Sequence, residues 1–182
     1  MKNYVLVLCL LICTDFLFSQ KALETVTKVY QGSGYTYNID ITNYLRVKVY
    51  NVNNKWRSID QQHQDGQYIN IDAPRTAFVE DDDWTKLKAF GIVHDAFTAE
   101  QRKQVAGKKL GIIMYVNNQT GKVDEVDFDF MSDGPYMSIP IPVFRQIETE
   151  LKKNIWFKPT AKGKTLNYIF HGWRQDPNVT GK

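Results

Sequence analysis

Cysteine is nearly absent: the chain has two, Cys9 and Cys13, both within its first 13 residues. A chain cleaved behind that segment has no thiol, which excludes disulfides, Cys-ligated zinc and thiol catalysis together. Proline and glycine are sparse, at 6 and 11 residues, and no internal repeat or low-complexity tract occurs, so neither a collagen-like nor a linker-type chain is in view. Charge of one sign is missing too. The formal net charge is +3, too mild to point to a particular partner. Behind the first 20 residues there is no apolar run long enough to span a bilayer.

What is present begins with Lys2 and the apolar run "YVLVLCLLI" at 4–12, broken by Thr14 and Asp15. This is the layout of a secretory signal, with cleavage expected before Gln20. The alternative uses "LLIC" at 10–13 as a lipoprotein site with Cys13 lipidated, although Ile12 is bulky where a small residue is wanted. The expected location is therefore the periplasm or the outer membrane, with no transmembrane helix in the mature chain. An aromatic content of 13% indicates a packed domain rather than a disordered secreted tail.

From 20 to 79 the chain reads as β-rich. "YLRVKVY" at 44–50 alternates Leu45, Val47 and Val49 against Arg46 and Lys48, the period of a half-buried strand. "NVNN" at 51–54 then turns the chain, and a short strand "YINI" at 68–71 ends before Pro74. Residues 80–107 read as a helical connection. In "EDDDWTKLKAF" (80–90), Asp81 or Asp82 caps a helix with Trp84, Leu87 and Phe90 on its buried side. Four consecutive acids lack the alternating spacing and glycine turn of a calcium loop, so no metal is expected there. "TAEQRKQVAG" (98–107) carries a capping box, Thr98 with Gln101, and a stop at Gly107.

Residues 108–182 hold the most specific pattern. "KKLGIIMYV" (108–116) and "KVDEVDFDF" (122–130) form a hairpin around Gly121. In the second strand Val126, Phe128 and Phe130 face inward, and Glu125, Asp127 and Asp129 form an acidic face read as the wet side. From Pro142 an amphipathic helix repeats Phe144, Ile147, Leu151 and Ile155, with Arg145, Glu148, Glu150 and Lys152 outward. "WFKPTAKGK" (156–164) turns the chain into a last strand, 165–171.

Histidines 63, 94 and 171 have no ligand spacing. His94 and Asp95 are read as neighbours on a strand, pointing to opposite faces, without a nucleophile motif beside them. Lysines near aromatics, as in "FKPTAKGK", are read as a soluble surface rather than a nucleic-acid site. Asn118 and Asn178 fall in N-x-Thr patterns, which for a bacterial export product is chance.

The series strand, "QTGKVDEVDF", helix, "WFKPTAKGK", strand resembles the carboxy-terminal domain of TonB-type proteins over residues 108–175, through Gly121, Val123, Val126, Trp156, Phe157, Pro159, Gly163 and Lys164. The resemblance implies a β-β-α-β unit. The expected fold is thus α+β, an antiparallel sheet with helices on one face, the TonB-like unit being preceded by a β-rich half. TonB proteins pair with an extended segment of a transporter, but this chain has no proline-rich spacer, and no transporter-binding residue is carried over. The expected function is a non-catalytic envelope interaction module that captures a protein or peptide by strand addition at Asn167, Ile169 and His171, without cofactor, metal or nucleic acid. The alternative is a small envelope hydrolase or a ligand-binding protein with its site near His94.

Overall fold

The computed structural model describes residues 25–42, 45–69, 74–81 and 84–180. The signal segment, Cys13 and Asp82 lie outside these. Six strands form one antiparallel sheet: β1 (Val26–Gly32), β2 (Tyr35–Ile41), β3 (Arg46–Asn51), β4 (Leu110–Val116), β5 (Val123–Met131) and β6 (Ile169–Gln175), in the spatial order β1-β2-β3-β5-β4-β6. The long excursion between β3 and β4 contains α1 (Thr85–Ala96) and α2 (Ala99–Gln104), and α3 (Ile141–Asn154) joins β5 to β6. Because β3 pairs with β5, the strands of the first half and those of the second share one ladder.

Alternation sorts the sheet into two faces. Val47 and Val49 lie opposite Phe130 and Phe128, and Ile112 pairs with Phe128 from the other side. This row faces α3, whose Phe144 ring lies 5.1 Å from Phe128 and 5.8 Å from Phe130. Ile147 and Leu151, one and two turns on, are fully buried, each such side chain adding about 2 kcal/mol of transfer free energy. α1 packs against α3.

The capping box at Thr98 forms as read: its hydroxyl accepts the Gln101 N–H at 3.2 Å and the Gln101 side chain accepts the Thr98 N–H at 2.9 Å. The 117–122 hairpin loop turns at Gly121, whose φ of 71° is left-handed. A side chain there would also run into the Phe157 carbonyl. The aromatic-proline stretch therefore docks on the hairpin: the Phe157 N–H donates to Gly121 O at 2.8 Å, and on its other side the Thr160 N–H donates to Phe78 O at 3.0 Å.

Six expectations are corrected. α1 starts at Thr85 and turns Thr85, Ala89, Val93 and Ala96 inward, a strip of mostly small residues that lets the helix approach closely, so Trp84 and Leu87 stand outside. His94 and Asp95 sit near the end of that helix, not on a strand. Glu125, Asp127 and Asp129 are buried, at 6%, 3% and 7% exposure, because β5 is a central strand and residues 54–57 lie over its acidic side. Glu148 points inward, taking the Tyr37 hydroxyl of β2 with Arg145 and Lys152 beside it. The last strand runs Ile169–Gln175, because Gly163–Thr165 is a 3-10 turn and 166–168 bonds to residues 59–62 instead of β4. The expected strand at 68–71 is an isolated bridge, Tyr68 to Gln62, and its remainder from Asn70 lies outside the described residues.

Candidate functional site

The acidic residues of β5 form an internal ionic network. Glu125 accepts the backbone N–H groups of Lys55 and Trp56, both at 2.9 Å. Asp127 accepts from Asn54 Nδ2 at 2.8 Å and from the Tyr115 hydroxyl at 3.2 Å. Arg57 bridges Asp40 at 3.3 Å and Asp127 at 3.6 Å while its guanidinium lies 3.4 Å from the Tyr50 ring centroid. Asp129 pairs with Arg46 and, at 3.9 Å, with Arg174. Burial pushes the Asp127 carboxyl above its ordinary range, against the pull of Asn54, Arg57 and Tyr115. Burial, with Asp60 and Glu125 nearby, likewise raises Tyr168 to about 12. Glu125 and Asp127 thus fasten the chain's own 54–57 segment, while Asp129 ties β5 to Arg46 of β3 and Arg174 of β6.

The residues expected to meet a partner separate. Asn167 is taken up by the chain itself: its N–H donates to Gln62 O at 2.9 Å, its side-chain oxygen accepts the Gln62 N–H at 3.1 Å, and its Nδ2 donates to Asp60 O at 2.9 Å. Ile169 is fully buried. His171 alone stands at a cavity.

That cavity, about 260 Å³, lies between the start of α1 and β6. Its apolar walls are Val79, Ala89, Phe90, Met114, Phe157 and Trp173, and its polar ones Thr76, Glu80, Asp81, Thr85, Lys86 and His171. His171 and Trp173 reach it together because they alternate on β6 and share its helix-side face. The His171 ring packs on Phe157 at 4.3 Å, and Trp173 stacks on Phe90 of α1 at 6.3 Å with 19° between the planes. The Trp173 indole N–H donates to Gln175 Oε1 at 3.2 Å, which fixes the ring, and Glu80 is tied to Lys158 at 2.7 Å. Acidic and basic groups both flank the opening, while the interior is aromatic and aliphatic. Such an interior holds an apolar group by area and shape. Sequence reading named His171 but missed Trp173, Phe157 and Met114; the period-two pairing of His171 with Trp173 was the available signal.

His94 and Asp95 line a second, wider depression of about 530 Å³ between α1 and α3, together with Leu87, Lys88, Gly91, Ile92, Glu150, Asn154 and Thr180. The Pro177 carbonyl lies 2.8 Å from His94 Nδ1, so this nitrogen carries the ring proton and the ring holds the carboxy-terminal segment. Among the described residues no three His, Cys, Asp or Glu side chains are grouped to hold a metal ion, and no helix is long and apolar enough to cross a membrane.

Residues 20–173 match the model of a domain of unknown function, DUF5043. The crystal structure of a DUF5043 family protein from Bacteroides uniformis is similar at 35% identity with a TM-score of 0.80, over 88% of this chain and 93% of that one. No curated protein matches the chain.

Proposed function

The chain belongs to the DUF5043 family, and for it we propose the role of an exported, non-catalytic interaction module of the cell envelope that seats one apolar side chain of its partner in the cavity between α1 and β6. The observation that carries this is the cavity's size and lining. At about 260 Å³ it falls below the usual range of small-molecule and cofactor pockets, roughly 300–1,000 Å³, and suits a single anchor group. Aromatic walls of this kind are what an interface anchor fills. Export is supported by the match to the family beginning at residue 20, the residue before which signal cleavage is expected. The resemblance of 108–175 to TonB carboxy-terminal domains supports an extended partner segment. With Asn167 engaged by residues 60–62, that segment meets the molecule at His171 and Trp173 rather than at 166–168.

The test is an NMR titration of residues 20–182 with free indole and p-cresol, the end groups of Trp and Tyr. Shifts are expected at the Trp173 indole N–H and the Met114 methyl, weakened by Ala89→Trp, which fills the cavity, and strengthened by Met114→Ala, which enlarges it. No perturbation at either probe group in the folded wild-type protein overturns the reading.

A further inference from the structure

We propose that the depression between α1 and α3 is a binding site for a neutral oligosaccharide. Two tryptophans stand on the surface at one end of it: Trp84, which precedes α1, and Trp156, which follows α3, at 36% and 52% exposure. Their rings lie 4.5 Å apart at an angle of 51°. Lys88 connects them to the groove, since its Nζ sits 5.7 Å from one ring and 5.6 Å from the other while the residue also lines the depression. Exposed indoles this large are unusual on a surface that meets only water.

The groove beyond them, which neither indole lines, is mixed: Leu87 and Ile92 give it apolar wall, and polar groups stand among them. Asp95 and Glu150 offer carboxylates, Lys88 an ammonium, Asn154 an amide and Thr180 a hydroxyl. Asn154 Nδ2 donates to Glu150 Oε2 at 2.8 Å and to Glu150 O at 3.0 Å, holding that amide and carboxylate in place with the amide oxygen left to accept. Acids and a base alternate, so no field of one sign selects an ion. What the groove provides is flat apolar faces next to paired donors and acceptors. A sugar chain has the matching surface: pyranose rings carry C–H groups on their faces and hydroxyls, each both donor and acceptor, around their rims. A protein partner would instead enclose the indoles in a dry apolar core, whereas these stand beside an open groove where charged, amide and hydroxyl groups are interspersed with Leu87 and Ile92.

The experiment follows the indole N–H resonances of Trp84 and Trp156 in residues 20–182 against maltohexaose, cellohexaose, xylohexaose and mannohexaose, with oligogalacturonate as the charged comparison. At least one neutral hexasaccharide is expected to shift both resonances with a millimolar dissociation constant. Trp156→Ala should weaken it at least about tenfold, equivalent to about 1.4 kcal/mol, at an unchanged melting temperature, and Trp156→Phe should restore part of the loss. Glu150→Gln should weaken it as well. The proposal is overturned if none of the four perturbs either indole, if oligogalacturonate binds more tightly than all of them, or if binding survives Trp156→Ala unchanged.

Discussion

Two aspartates carry opposite pH signatures. Burial holds the Asp127 carboxyl above its ordinary range, with Glu125 adding to the rise and Asn54, Arg57 and Tyr115 opposing it. Its folded form therefore binds a proton more readily than the unfolded chain does, so its contribution to stability grows as pH falls through the raised value toward the ordinary 3.8. Asp176 is the reverse: burial pushes it up, but the N–H groups of Asn178 and Gly107 outweigh that and hold it low. Its contribution is full above the ordinary carboxylate range and is lost as pH falls through the depressed value. Urea titrations between about pH 2 and pH 8 should separate them. Asp127→Asn is expected to keep or raise stability at neutral pH and to flatten the gain on mild acidification. Asp176→Asn is expected to lose stability at neutral pH and to match the wild type in strong acid.

At the level of elements, the segment over the back of the sheet depends on Glu125, which satisfies two backbone N–H groups at once. Glu125→Ala removes the acceptor of both donors and is expected to cost about 2–4 kcal/mol, since hydrogen bonds to charged groups contribute about 1.5–3 each. Hydrogen exchange should show residues 54–57 losing protection before the β4–β5 hairpin does. What was legible in the sequence was local. The Thr98 capping box, the turn at Gly121 and the inward series Phe144, Ile147, Leu151 depend on residues within a few positions of one another. What was illegible depended on distant partners. Nothing near Asp127 in sequence announces Asn54 and Arg57, and nothing in α3 announces the Tyr37 hydroxyl that draws Glu148 inside. An acid alternating with apolar residues then reads as a wet face. The cavity was half legible for the same reason: β6 alternation places His171 beside Trp173, while Ala89 and Phe90 arrive from a helix about 80 residues earlier.

For the molecule as a whole, the β3–β5 ladder makes the β-rich first half and residues 108–182 mutually dependent. Residues 108–182 alone would expose the β3 side of β5 and strip Asp127 and Glu125 of the groups that neutralise or bond them. A fragment of 108–182 is therefore expected to be unfolded by circular dichroism, and residues 20–182 to melt in one transition that tyrosine and tryptophan signals report alike. Two separate transitions would refute this. The spatial order β1-β2-β3-β5-β4-β6 also sets the two ends of the sheet apart by five strand spacings, about 24 Å at about 4.8 Å each. α1 lies on the β6 side, with Phe90 on Trp173 and its carbonyl taken by Gln175. A tether attached ahead of β1 would thus hold the molecule by the rim opposite the cavity, and whatever it is anchored to, the cavity would be the end presented outward.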